Sequence, residues 1–113
     1  MISIEVIRKS KEFLKVISNG SKFTKSGIVI YYLNHNDLDK LRIGISIKKQ
    51  VGNSVARNKL RRQIKNLLRD ELFKLNGVSM VLIVMNNNQI LNYSSIKNVL
   101  GEFNNFISKS NEQ

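Results

Sequence analysis

The sequence contains no cysteine, no proline and no tryptophan, and its only histidine is His35. Without cysteine there can be no disulfide, no zinc ribbon and no thiol nucleophile, a composition that fits a reducing compartment and leads to the expectation of a cytoplasmic protein. Acidic side chains are scarce: 8 Asp and Glu stand against 19 Lys and Arg, for a formal charge of +11. No acid at all falls between Asp39 and Asp70. Nor is there an apolar run approaching the ~18 residues of a membrane span. Lys9, Lys11, Glu12 and Lys15 cut the N-terminal apolar residues into short pieces, so no secretory leader is expected. Signatures of protein-borne catalysis are missing as well, with no HExxH, no Walker loop, no paired glutamates and no Ser/His/Asp grouping.

What remains is a chain of 113 residues, 42% of them hydrophobic. That length and composition describe one globular domain over residues 1–113, large enough to bury a modest core and too apolar for disorder. The fold class expected is α+β, with a small mixed sheet of about four strands and three helices in the order αβββαβα.

The elements follow from local pattern. Ser10 is a candidate cap for a first helix through Phe13, Leu14 and Ile17, stopped by Gly20. A short extended piece covers Lys22 to Thr24, and Gly27 opens the β-rich run IVIYYL, residues 28–33. Asn34 to Lys40 reads as a polar turn into a second strand, Leu41 to Ile47, and the pair is expected to form an antiparallel hairpin. Asn53 is a good N-cap for a long helix from Ser54 to about Leu75, whose buried stripe is Leu60, Ile64, Leu67, Leu68, Leu72 and Leu75. Asn76-Gly77 should end it. MVLIVM, residues 80–85, reads as a strand buried on both faces. After a turn at Asn86 to Gln89, a last helix begins near Tyr93 and buries Ile96, Val99, Leu100, Phe103 and Ile107, with a frayed tail expected over residues 108–113. The long helix would join two parallel strands, for which a right-handed crossover is the general rule.

The positive charge is concentrated on that helix. Lys48 and Lys49 precede it, and Arg57, Lys59, Arg61, Arg62, Lys65 and Arg69 lie along it. Arg61, Lys65 and Arg69 are spaced four apart beside the apolar stripe, with Asn58 and Arg62 on the same flank, so the helix can pack on a sheet and still present cations. Nucleic acid is the commonest partner for such a focused basic surface. Arginine's planar fork matches phosphate oxygens, and Asn58 can bond a phosphate, a 2′-hydroxyl or a base edge. The free N–H groups after Asn53 offer a further phosphate site. The plainer alternative is a solvated basic face with no ligand.

The run GISIKKQVGNSVARNKLRRQIKNLLR, residues 44–69, resembles the signature of the protein subunit of bacterial ribonuclease P. Its marks are Gly52-Asn53, the triplet Arg57-Asn58-Lys59, and the basic residues Arg61, Arg62 and Lys65. IRKSKEFLKVISNGSKF resembles the family's first helix, IVIYYL its central strand and LRIGISI the strand before the signature, so nearly the whole chain is covered. Ser54 stands where alanine is usual, Gln50 where lysine is usual, and Ile17 where an aromatic is often found.

The resemblance implies a left-handed βαβ crossover, against the general rule, and two RNA surfaces. One, comprising Lys48, Lys49, Asn53, Arg57, Asn58, Lys59, Arg61, Arg62, Lys65 and Arg69, would face the catalytic ribonuclease P RNA. The other, with Phe13, Ile17 and Tyr31, would be a cleft between the first helix and the sheet for the single-stranded 5′ leader of precursor tRNA. Hydrolysis would be performed by the RNA with Mg2+ bound mainly there, and no stable protein partner is expected. From the residues alone, Tyr31 shares a strand face with Val29 and can stack a splayed base, although aromatics at such positions are more often core. Two rivals stay open: a structural or ribosomal RNA-binding protein with no role in cleavage, and a stand-alone nuclease holding a metal at His35, Asp37 and Asp39, positions that more simply form a polar turn.

Overall fold

The most apolar strand of the chain lies in the middle of its sheet. A computed structural model describes residues 3–35, 39–69, 77–85 and 93–111. In chain order it contains β1 (Ser3–Val6), α1 (Ser10–Asn19), β2 (Ser21–Lys25), β3 (Ile28–Asn34), β4 (Lys40–Ile47), α2 (Ser54–Arg69), β5 (Val78–Val84) and α3 (Tyr93–Asn111), with a single 3₁₀ turn at Lys49–Val51. The sheet order is β1-β4-β5-β3-β2. β5 is hydrogen-bonded on both sides, antiparallel to β3 and parallel to β4. It is also covered on both faces, so a run of VSMVLIV, all but one of whose side chains are buried, is the natural occupant of that position.

Two expectations about the sheet are corrected. There are five strands, not about four: β1 pairs in parallel with β4, Ile4 opposite Leu41. Four residues with the pattern SIEV carry too little periodicity to reveal a strand, and only the edge of β4 makes it one. Second, β3 and β4 are not a hairpin, because β5 lies between them. They do run in opposite directions, but they lie two strand spacings apart, about 10 Å. The hairpin that does form joins β2 and β3, closed by Ser26 (φ 53°) and Gly27 (φ 77°) with Lys25 opposite Ile28. Two successive positive φ values are what a tight two-residue hairpin turn requires.

α2 and α3 cover one face of the sheet. There Leu60, Ile64, Leu67 and Leu68 of α2 and Ile96, Val99, Leu100, Phe103 and Ile107 of α3 meet Ile28, Ile30, Leu41, Ile43, Ile47, Met80 and Leu82. α1 covers the other face, where Val16 is buried against Ile7 and Val81. The predicted buried stripes of α2, as far as Arg69, and of α3 are all in place. Leu72, Leu75, Asn76 and the turn at residues 86–89 lie outside the described residues. α3 is helical to Asn111. Ser10 is not the cap of α1: it is the first helical residue, Lys9 holds the capping position without a side-chain bond, and the helix does stop at Gly20. Among the described residues no helix is long and apolar enough to cross a membrane.

Candidate nucleic-acid interface

β4 ends at Ile47, and the Lys48 N–H donates to the Val84 carbonyl at 3.1 Å, so the basic lead-in to α2 is anchored to the end of the central strand. The 3₁₀ turn then carries the chain to Gly52, where an added Cβ would stand 3.1 Å from the Ala56 Cβ. Asn53 caps α2: its Oδ1 accepts from the Ala56 N–H at 2.9 Å, and its carbonyl accepts from the Arg57 N–H at 2.9 Å. The first turn of α2 contains no acid and its last turn contains Arg69.

The guanidinium groups on α2 are steadied by neutral partners. Arg57 Nη2 donates to Ser54 Oγ at 3.3 Å and Arg61 Nη1 to Asn58 Oδ1 at 3.1 Å, each one turn back along the helix. Among the described residues no carboxylate pairs with any cation of α2; the ion pairs present belong to Lys25, Lys40 and Arg42. Lys48, Lys49, Asn53, Asn58, Lys59, Arg62 and Arg69 are exposed, while Arg57, Arg61 and Lys65 are half-buried beside the apolar stripe. At about 100° per residue, Arg57, Asn58, Arg61, Arg62, Lys65 and Arg69 occupy one broad sector of the helix. Lys59 borders this sector, about 60° beyond Arg62. Five cations and Asn58 on a rigid rod, the cations unpaired with any carboxylate among the described residues and two of them held by neutral hydrogen bonds, form a surface suited to phosphate oxygens.

The second set of predicted residues gathers on the opposite face of the sheet. Phe13 and Ile17 of α1 and Tyr31 of β3 pack, half-buried, around Ile7, Val16 and Val81, with Ile83 beside them. Tyr31 lies opposite Val81 on one side and Lys22 on the other, and Val81 lies opposite Gly44. The Phe13 ring rests on Gly44, where the missing side chain leaves it room: a Cβ there would stand 2.8 Å from Phe13 Cε2. Beyond this row, Thr24, Val29, Ile83 and Ser46 form the next one across the sheet, none of them fully buried. The result is a shallow trough with one wall from α1, an apolar floor and Tyr31 at its side. From Gly44 to Lys48 is about 13 Å along β4, so the trough and the basic lead-in share one end of the sheet.

Sequence reasoning missed three contributors. Gly44 had a signal, since a lone glycine among alternating isoleucines marks close approach to a strand. Arg42, which lies 3.6 Å from Glu12 and 3.7 Å from Glu5 and so ties α1 and β1 to β4, had none. Neither had Lys22, whose Nζ lies 5.9 Å from the Tyr31 ring centroid. At the polar turn proposed as a metal site, the His35 N–H donates to the Gly77 carbonyl at 2.9 Å and Asp37 lies outside the described residues. Among the described residues no three His, Cys, Asp or Glu side chains gather to hold a metal ion.

The family model described as Ribonuclease P matches residues 1–110. The chain is 35% identical over 94 residues to the Ribonuclease P protein component of Mesoplasma florum, covering 83% of this chain and 84% of that one. It is 43% identical over 79 residues to that of Gluconacetobacter diazotrophicus, covering 68% of each. Among solved structures, the RNase P protein of Staphylococcus aureus superposes with a TM-score of 0.76 at 26% identity, over 92% of this chain and 94% of that one. The RNase P protein of Thermotoga maritima shares the fold, with a TM-score of 0.72 at 20% identity over 88% and 94%.

Proposed function

The chain belongs to the ribonuclease P protein component family, and from that premise we propose that it binds the ribonuclease P RNA through α2 and holds the 5′ leader of precursor tRNA in the trough under α1. It is the protein subunit of an endoribonuclease whose chemistry resides on the RNA. The observation that carries this reading is the uncompensated basic sector of α2, with Arg57 and Arg61 oriented by Ser54 and Asn58 rather than neutralised by acids.

The physical task is to bring together two polyanions. A catalytic RNA and its precursor repel one another at every approach, and magnesium bound to the RNA relieves only part of that repulsion. α2 supplies positive charge to the RNA subunit on one side of the sheet, and the trough receives a single strand on the other. Because the five strands lie between these surfaces as one hydrogen-bonded body, the leader is held at a set position relative to the RNA. The partly exposed Val29 and Ile83 and the aromatic side of the trough favour an unpaired strand, whose bases can turn onto apolar surface and rings, over duplex. Mature tRNA, which lacks the leader, makes none of these contacts. Mg2+ sits on the RNA in this reading, and the location of both the RNA and the reaction is the bacterial cytoplasm.

The deciding experiment adds the purified chain to a bacterial ribonuclease P RNA and precursor tRNA at magnesium concentrations too low for the RNA alone. Leader removal should be restored, and precursor should bind more tightly than mature tRNA. A chain that binds the RNA without stimulating cleavage is a structural RNA-binding protein, and the proposal fails. If about six to eight phosphates are contacted, affinity for the RNA should fall by roughly 10³–10⁵ between 50 and 200 mM salt.

A further inference from the structure

The face of the sheet left open by α1 carries a cation set over an aromatic ring. Lys22 Nζ lies 5.9 Å from the centroid of Tyr31, and the two are direct cross-strand partners between β2 and β3. The five strands carry four basic residues: Lys22, Lys25, Lys40 and Arg42. Three have acidic partners, Lys25 with Glu102, Lys40 with Glu5, and Arg42 with Glu5 and Glu12. Lys22 has none among the described residues, and its side chain is exposed.

The alternation of β2 explains the difference. Phe23 packs against Phe103 and Lys25 meets Glu102, so positions 23 and 25 face α3. Lys22 and Thr24 therefore face the opposite way, onto the α1 side, beside Tyr31 and Val29. β2 is also the last strand of the sheet. A polynucleotide that crossed Tyr31 toward this edge would pass Lys22.

We propose that the Lys22 ammonium takes the phosphate of the leader nucleotide whose base lies over Tyr31, the two residues together forming one nucleotide seat. This rests on reading the trough as the leader site. Single-strand sites combine a stacking ring with a cation that follows the backbone, and here the two are already adjacent. An ammonium on a flexible four-carbon stem can remain near the ring while meeting a phosphate, and the ring attracts the cation when the seat is empty. Ile17 strengthens the case, because α1 offers no second aromatic beside Phe13, whose ring is pressed on Gly44. A lysine that merely guarded an open sheet edge against pairing would have no need of the ring.

The test uses the holoenzyme reconstituted with ribonuclease P RNA, measuring the affinity for precursor and for mature tRNA across a salt series. Lys22→Ala should weaken precursor binding about three- to tenfold, leave mature tRNA unchanged, and make the dependence of log affinity on log salt shallower by about 0.7, the value for one single-strand phosphate. Lys22→Arg should restore both. Neutral methylphosphonates scanned through the leader should include one position that weakens the unsubstituted enzyme but not the Lys22→Ala enzyme. An Ala variant with unchanged affinity and slope, or with equal losses for both tRNAs, overturns the seat while leaving the leader site standing. An unsubstituted holoenzyme that does not prefer precursor over mature tRNA overturns the leader site, and the seat with it.

Discussion

Gly44 of β4 and Phe13 of α1 are in direct contact, ring on backbone, and the space taken by the ring is the space a side chain at 44 would need. This contact fixes how closely α1 approaches the sheet and therefore the width of the trough. Gly44→Ala should destabilise the protein by about 1–3 kcal/mol through overpacking. Phe13→Leu in the same chain should recover part of that loss. A denaturant double-mutant cycle with no coupling between positions 13 and 44 would show that the ring moves aside freely.

The cations of α2 can be tested one at a time. Arg57→Ala and Arg61→Ala should each weaken binding to ribonuclease P RNA and lower the salt slope by about 0.9 if the phosphate belongs to a helix. Lys59→Ala, at the outer border of the sector, should change the slope less. Unchanged affinity and slope for the two arginine variants would remove the phosphate role assigned to this sector.

Tyr31→Ala separates stacking from packing. Loss of a base-stacking platform should cost about 1–3 kcal/mol of precursor affinity with mature tRNA unaffected. Equal losses for both tRNAs, measured by equilibrium binding to the holoenzyme, would mean that Tyr31 serves only the cluster around Val16 and Val81.

Asn53 combines two roles that a charge can split. Its Oδ1 caps α2, so Asn53→Ala should lower stability by about 1 kcal/mol. Asn53→Asp should keep the cap, and favour the positive end of the helix, while placing a negative charge where a phosphate would bind. Thermal unfolding should therefore be preserved as RNA affinity falls. If the aspartate variant binds RNA as well as the native chain does, no phosphate approaches this helix end.

The helices were legible because their determinants are local. The stripe Leu60, Ile64, Leu67, Leu68 and the cap Asn53 lie within a few residues of the bonds they govern, and the basic sector of α2 follows from the same periodicity once the stripe is known. The failures have the same origin in reverse. Ser10 was misjudged as a cap because one residue of slippage leaves the pattern of α1 almost unchanged.

Strand neighbours are set by distant segments. β3 and β4 were expected to pair because they are consecutive, yet β5, reached only through α2, has the nearly all-apolar sequence that needs a partner on each edge and cover on each face. Burying it between them removes more apolar surface from water than a two-stranded hairpin could. The same insertion brings Val81 and Ile83 beneath α1 and completes the trough. Composition and periodicity alone thus determined that the protein is basic, that its charge rides on a helix, and which helix faces are buried. Tertiary structure alone decided that β1 is a strand, that Gly44 receives Phe13, and that Lys22 stands beside Tyr31, because each depends on a strand pairing or helix docking that no local pattern encodes.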